Sequence, residues 1–276
     1  MDSLIADTES SLRLGVFLSF FVVLALLELV IPRRKLRYSK LQRWASNIGL
    51  SIFNTVFLRL VIPIAGVGTA LLASDKGWGL LNHVELPLWL STIVFLLIFD
   101  VTIYWQHRIY HRVPVLWRFH RMHHTDMDYD FTTGSRFHPV SILISTLIKV
   151  GLILLMGPPA IAVVLAEVIL NATSMFNHSN IKLPDWLDHR LRKVIVTPDM
   201  HRIHHSVERS EHDRNFGFNL SCWDRIFSSY LDRAEKDQTE MDIGIKGFQD
   251  KKSLNMFTLL FQPFDNPSKP TLDRKA

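Results

Sequence analysis

LGVFLSFFVVLALLELVI, residues 14–31, is an apolar stretch in which Glu28 is the only charged residue. About 18 apolar residues are enough for a helix to cross the hydrocarbon core of a bilayer. A cleaved signal peptide is the alternative. However, the residues before the stretch, which include Asp2, Asp7 and Glu9, are net acidic, and no small-residue cleavage site follows. The stretch therefore predicts a retained membrane helix.

Four further apolar blocks follow this first one. Gly157, Pro158 and Pro159 separate the last two blocks, and this sequence predicts a turn, so the two blocks should form a helical hairpin that enters and returns. From residue 177 onward the chain is polar. The blocks cover residues 48–73 (interrupted by Arg59 and Pro63), 86–105 (with Asp100), 140–156 (with Lys149) and 160–176 (with Glu167).

The basic residues predict which way the helices cross. Residues 33–43 contain six basic and no acidic residues, so the positive-inside rule places them in the cytoplasm. Counting spans then places residues 107–138 and everything after 177 on the same cytoplasmic face. The net charge of +5 is attributed largely to this orientation, so no nucleic acid is expected as a partner. No retrieval signal or transit peptide is visible, which favours the bacterial inner membrane over the endoplasmic reticulum.

These features predict an all-α fold. It is an integral membrane, multi-pass helical bundle of about four to five membrane segments, including the hairpin, with a cytoplasmic helical cap that carries histidine clusters. The predicted division has N-terminal transmembrane helices in residues 1–98, a catalytic domain in 99–232, and a C-terminal cytoplasmic tail or interfacial cap in 233–276.

Histidine is the unusual residue of this sequence, with thirteen copies against a single cysteine, Cys222. One cysteine excludes an intrachain disulfide framework, a cysteine-ligated iron–sulfur cluster and a cysteine-rich zinc module. Three segments concentrate the histidines: HRIYH at 107–111, HRMHH at 120–124 and HRIHH at 201–205. An HxxHH pattern should occur about 0.03 times by chance in this chain, so two copies are not accidental. On a helix, positions i, i+3 and i+4 share a face, so each segment should gather its imidazoles on one side.

Clustered imidazoles indicate a metal site, because imidazole binds zinc, copper, iron and nickel. A single zinc uses three or four protein ligands, and the eight histidines of the three segments exceed that number. Two irons that activate O2 are the most economical interpretation. Isolated histidines such as His83, His189 and His212 favour hydrogen bonds at the membrane surface. Candidates for orienting the ligands are Asp100, Tyr104, Glu167 and Asp199, whereas Asp126, Asp128 and Asp130 are expected in a solvated loop.

Between about residues 99 and 230 the sequence resembles the fatty acid hydroxylase/sterol desaturase superfamily of membrane non-haem di-iron oxygenases. The resemblance rests on HRIYHRVPVLWRFHRMHHTD, TTGSRFHP, FNHSN, TPDMHRIHHS and NFGFNLSCWDRIFSSY. It implies an oxidoreductase of lipid biosynthesis. Such an enzyme uses two Fe ions, O2 and an external electron-donor protein to hydroxylate or desaturate C–H bonds of an acyl chain, sterol or isoprenoid. The metal ligands that it implies are His107, His111, His120, His123, His124, His178, His201, His204 and His205, with His138 as a possible ligand or a structural residue.

Two other function classes stay open at this point. A zinc-dependent membrane hydrolase would need a general base beside the ions, and no HExxH motif or equivalent glutamate follows the clusters. A metal transporter, the less favoured class, should have ionisable residues along the middle of its spans, whereas these histidines gather at one surface. Candidates for lining a substrate slot near that surface are Phe99, Ile103 and Phe176.

Overall fold

The computed structural model describes residues 2–266 and contains helices but no extended strand in that part of the chain, which confirms the all-α prediction. Single 3-10 turns lie at Leu80–Asn82, Phe131–Ser135, Lys251–Leu254 and Gln262–Phe264. The α-helices are α1 (Asp2–Val30), α2 (Lys40–Val61), α3 (Val67–Lys76), α4 (Leu88–Arg112), α5 (Pro114–His124), α6 (Pro139–Met156), α7 (Ala160–Asn177), α8 (Asp185–Leu191), α9 (Pro198–His204), α10 (Arg209–His212), α11 (Cys222–Ile226) and α12 (Met256–Phe261).

Four of these helices, α1, α4, α6 and α7, are long and apolar enough to cross a membrane, as the prediction of four to five segments requires. In α1 the span is Glu9–Val30, and only 11% of its apolar stretch is buried inside the protein. Leu26 and Leu29 are 57% and 68% exposed. A long helix that exposes apolar side chains in this way faces lipid. The protein is therefore a multi-pass membrane protein.

The second apolar block folds as two helices, α2 and α3, and neither is both long and apolar enough to count as a span. Pro63 cannot continue the hydrogen bonding of α2, and Gly66 precedes α3 with a left-handed φ of +57°. The bent pair still runs the length of the bundle, because Arg43 near its start contacts the loop after α5 and Gly79 after its end contacts the hairpin turn. A Cβ on Gly79 would lie 2.1 Å from the backbone nitrogen of Gly157.

The predicted hairpin is formed by α6 and α7. Gly157 ends α6 with a φ of +57°, and Pro159 stands immediately before the first residue of α7. The core of the membrane half lies where these two helices pack against α4. Its buried apolar side chains include Phe95, Phe99, Ile103, Ile153, Val163 and Val164.

At the end of the bundle opposite the hairpin turn, charged side chains are buried. Asp126 and Asp130 are 0% exposed, so the prediction of a solvated loop was wrong. Arg43 Nε donates to Asp126 Oδ1 at 2.9 Å, and Arg43 Nη1 contacts Asp130. Asp128 accepts two backbone N–H groups from the same basic segment, residues 33–43. This segment, which was interpreted only as an orientation signal, compensates the burial of the loop carboxylates.

The C-terminal segment crosses over α5. Arg121 of α5 donates to the carbonyl of Gln262 at 2.7 Å. Leu259 is fully buried in a cluster that includes residues of α2 and α5. This part of the predicted tail or cap therefore packs on a helix that carries histidines, and residues 267–276 lie outside the described part of the chain.

Candidate metal centre

Nine buried histidines from four separate parts of the chain meet at the end of the bundle opposite the hairpin turn. They form two groups, in each of which one ring nitrogen per residue lies within 4.8 Å of the others. These are the nine histidines put forward as ligands, and the structure brings all of them together. The five-histidine group contains His107, His111, His120, His124 and His204, and the four-histidine group contains His123, His178, His201 and His205.

Helix boundaries position these side chains. Pro114 is the first residue of α5, and its fixed φ suits the first turn of a helix. Pro198 has the same place in α9, where the Thr197 hydroxyl accepts a hydrogen bond from the Met200 N–H. His178 follows the last residue of α7, so the returning helix of the hairpin positions the ninth imidazole.

Each HxxHH segment divides its histidines between the two groups. In α5 the first and third histidines belong to the five-histidine group and the middle one to the four-histidine group, whereas the α9 segment has the reverse division. Positions i and i+4 stay together in both segments. The prediction that each segment gathers its imidazoles on one side was therefore too simple, because each segment serves both groups.

The spacing of the ring nitrogens is that of ligands around a metal ion. Two nitrogens bound at right angles to one ion, each about 2.1 Å from it, would lie about 3 Å apart. The Nε2–Nε2 distances are 2.9 Å for His107 and His204, 3.1 Å for His111 and His124, 3.3 Å for His120 and His124, 3.1 Å for His123 and His178, and 3.2 Å for His178 with both His201 and His205.

Hydrogen bonds at the far side of the rings show that cations fit between them. His107 Nδ1 lies 2.8 Å from the carbonyl oxygen of Phe216, and His204 Nδ1 lies 2.7 Å from that of Arg214. A carbonyl only accepts, so each Nδ1 carries the proton and each Nε2 presents a lone pair. Two lone pairs 2.9 Å apart repel each other unless a positive ion lies between them. His178 is fixed in the same way by the Ser174 carbonyl at 2.7 Å.

The buried imidazoles are also held in the neutral form that binds metals. Burial lowers the pKa of the His178 side chain to about 3. Burial, followed by the proximity of other histidines, lowers the pKa values of His123 and His205 well below the usual range. Metal binding therefore needs no deprotonation of these rings at neutral pH. The same direction of shift holds for His120, His124, His201 and His204.

Comparison with known proteins shows to which family the chain belongs. The fatty acid hydroxylase model matches residues 92–229, half of the chain. The chain belongs to the fatty acid hydroxylase family.

Curated relatives from this family act on lipids. The ornithine lipid hydroxylase OlsE of Rhizobium tropici is 28% identical over 90% of this chain and 74% of its own length. An alkylglycerol monooxygenase of Xenopus tropicalis is 28% identical over 79% of this chain but only 47% of its own length. The fatty acid hydroxylase vlmA of a Lecanicillium species is 26% identical over 74% of this chain and 59% of its own length. These relatives are lipid hydroxylases and monooxygenases, which are oxidoreductases. No solved structure matches the chain.

The four residues predicted to orient the ligands form no hydrogen bond with a histidine in the described part of the chain. Asp100 has an indirect role: its Oδ2 accepts from Trp223 Nε1 at 2.8 Å and so helps to hold the segment whose Phe216 carbonyl accepts from His107. The other three have partners elsewhere. Tyr104 OH lies 2.6 Å from Ser229 Oγ, Glu167 pairs with Arg13 and Lys149, and Asp199 pairs with Arg33 at 3.0 Å.

The groups that do orient the histidines are backbone carbonyls and one carboxylate. Asp213 Oδ1 lies 3.4 Å from His111 Nδ1, a contact that the sequence does not predict because no spacing pattern links positions 102 apart. Asp224, from the Trp-Asp pair of the family motif, accepts from the N–H groups of Phe216 and Gly217 at 2.8 and 2.9 Å. It thereby fixes the carbonyl that receives His107.

His138 lies outside both groups. Its Nδ1 accepts from the Val140 N–H at 3.1 Å at the start of α6, and its Nε2 donates to the Leu260 carbonyl at 3.1 Å. Of the two roles considered for His138, the structure therefore shows a helix-capping one.

A cavity of about 650 Å³ lies in the membrane half, and two phenylalanines of its lining contact histidines. Phe137 stacks on His123, with ring centroids 4.5 Å apart. The Phe218 ring lies 5.0 Å from that of His107. Ile103 also lines the cavity, as predicted. Phe99 instead belongs to the core of the membrane half, and Phe176 packs beside Phe131 and Leu24.

Proposed function

We propose that this protein is an O2-dependent membrane lipid hydroxylase whose nine histidines hold two irons. The observation that carries the proposal is the pair of adjacent imidazole groups, buried, neutral and facing each other through Nε2 lone pairs. Nitrogen-only ligand sets suit iron, and an ion that prefers six ligands keeps positions free beside five or four imidazoles. Two bound irons would supply the activation of O2.

The residues of the chain supply substrate placement. A lipid chain in the cavity would contact Phe137 and Phe218, whose rings lie against histidines of both groups. Apolar burial along a chain discriminates poorly between neighbouring methylenes. The end of the cavity should therefore set which carbon lies beside the histidines. We expect hydroxylation rather than desaturation, because the relatives are named as hydroxylases and monooxygenases.

The overall reaction requires electrons from outside. Conversion of a C–H bond to an alcohol consumes one O2, two electrons and two protons and releases water. We therefore include an external electron-donor protein as a partner. The proposed location is a bacterial inner membrane with the histidines at the cytoplasmic face. Support comes from basic residues 33–43, which pack against the histidine end through Arg43.

A zinc-dependent hydrolase is the competing function. Its water would need a carboxylate base. Within residues 2–266 the one carboxylate that hydrogen-bonds a histidine of either group is that of Asp213, and it faces the Nδ1 side of His111, away from the lone pairs. In the described residues the site therefore has many metal ligands but no carboxylate hydrogen-bonded on the Nε2 side of the histidines, where a hydrolytic base would be needed.

Metal analysis combined with lipid profiling tests the proposal. Protein expressed with added iron should contain about two irons per chain, as expected for two imidazole groups. Cells that produce it should contain a hydroxylated lipid that His123→Ala abolishes. His189→Ala is the matched control, because His189 is exposed and belongs to neither group. Stoichiometric zinc without iron, together with an unchanged lipid profile, would contradict the proposal.

A further inference from the structure

A second cavity, of about 510 Å³, opens beside the five-histidine group and is strongly basic. Four arginines and one aspartate line it. Arg108 and Arg112 come from the last two turns of α4, immediately after His107 and His111 in sequence.

The other side of this cavity is formed by the segment around α10. Arg209 is 85% exposed in its side chain and pairs with Asp213 at 3.4 Å. In the described part of the chain Arg112 and Arg214 form no ion pair, and both are exposed. The rim therefore has more positive charge than its one carboxylate can balance. Such a surface attracts a negatively charged partner.

The lining of this arginine cavity touches the metal ligands directly. Asp213, which the exposed Arg209 contacts, also contacts His111 Nδ1 at 3.4 Å. The backbone carbonyl of Arg214 accepts from His204 Nδ1 at 2.7 Å. Both histidines belong to the five-histidine group. A partner bound to the arginines would thus be one residue away from each of two histidines, with Asp213 between it and His111 and Arg214 between it and His204.

We propose that this arginine cavity is the docking site of an acidic one-electron carrier protein. This inference rests on the proposed function. Each hydroxylation takes two electrons, so the carrier would dock twice and be oxidised by one electron each time. The electrons would pass to the iron that the five-histidine group would hold, and the two protons would come from water. A carrier is favoured over an anionic lipid headgroup, because the lining residues Asp213 and Arg214 contact two histidines of the five-histidine group, where a headgroup would have no electrons to deliver.

The test compares the wild-type protein with Arg112→Glu/Arg209→Glu, both loaded with iron in phosphatidylcholine nanodiscs. The probe is a reduced plant-type [2Fe–2S] ferredoxin, an acidic one-electron carrier. We expect ferredoxin binding and the rate of electron transfer at low salt to fall by about tenfold or more in the double variant. The steep salt dependence of the wild type should flatten. Arg190→Glu, a charge reversal of an exposed arginine outside the cavity, should match the wild type.

A small neutral donor, photoreduced deazaflavin, separates this inference from the proposed function. It should drive lipid hydroxylation equally in the wild type and the double variant, because it needs no docking. Equal ferredoxin binding by both proteins would overturn the docking site, as would a defect seen only with phosphatidylglycerol vesicles. If deazaflavin yields no hydroxylated lipid in any protein, the proposed function fails, and ferredoxin binding alone still decides the docking site.

Discussion

The two halves of the molecule are held together by different forces. In the membrane half, apolar side chains of α4, α6 and α7 pack in a core while leucines of α1 face lipid. At the histidine end, Arg43, Arg136 and Arg202 are fully buried among carboxylates, carbonyls and nine imidazoles. A buried charge is stable only while its partners are present. Single substitutions should therefore do far more damage at the histidine end than on the lipid-facing surface.

The largest effect on activity is expected at His178, the centre of the four-histidine group. Its Nε2 lies within 3.2 Å of the Nε2 atoms of three other histidines. Loss of groups that merely support a ligand costs metal affinity or activity about 10–100-fold, so His178→Ala should lower lipid hydroxylation more than about 100-fold and also lower the iron content. Hydroxylation assays and iron analysis measure both. His189→Ala should behave as the wild type, and an active His178→Ala protein with full iron content would refute the ligand role.

The next effect concerns stability and the buried Arg43. Its guanidinium pairs with Asp126 and Asp130, and all three side chains are 0% exposed. Arg43→Ala leaves two buried carboxylates without their partner, so the free energy of unfolding should fall by about 3–5 kcal/mol. Arg37→Ala is the control, because Arg37 is 52% exposed in its pair with Asp242 and should contribute about 0–1 kcal/mol. Unfolding in detergent micelles measures both, and equal losses would remove the contrast between buried and exposed pairs.

A smaller effect is expected at Asp213. Asp213→Ala removes a group that holds His111 from behind, so metal affinity of the five-histidine group should weaken by about 10–100-fold while the fold persists. Competition with a chelator measures this change. Asp232→Ala is the control, because its half-exposed carboxylate pairs with Arg192 and touches no histidine. Unchanged affinity in Asp213→Ala would show that the carbonyls alone orient the group.

The smallest effect is expected on the lipid-facing side of α1. Leu29 is 68% exposed, so Leu29→Ala should change the free energy of unfolding by less than about 0.5 kcal/mol. Leu24 on the same helix is 3% exposed, and Leu24→Ala should cost about 2–5 kcal/mol through the cavity it leaves. The free energies of unfolding of the two variants, measured in the same detergent, test both expectations. A large loss in Leu29→Ala would mean that this face packs on protein instead of lipid.

Sequence patterns predicted the parts of this protein that depend on local spacing. The apolar blocks gave the four spans and the hairpin at Gly157, and the HxxxH and HxxHH segments gave eight of the nine clustered histidines. The prediction of His178 as a ligand came from the family resemblance, because a single histidine in a polar segment forms no spacing pattern with other histidines. The division of each HxxHH segment between two groups depends on how α5 and α9 are rotated against α4, which a helical pattern does not contain.

Long-range polar contacts were beyond such patterns. Asp126 was assigned to solvent because its partner Arg43 lies 83 positions earlier in the chain. The carbonyls of Phe216 and Arg214 orient His107 and His204 through the backbone, so their side chains give no signal. Each histidine motif is local in sequence, whereas the groups that orient its imidazoles come from distant segments of the chain.

X-ray absorption at the iron and zinc edges of the purified protein is the most direct test of whether the nine histidines hold two irons. We expect about two irons per chain, each with a shell of nitrogen or oxygen neighbours near about 2.1 Å and no sulfur. A single metal per chain, a sulfur shell, or stoichiometric zinc in place of iron would contradict it.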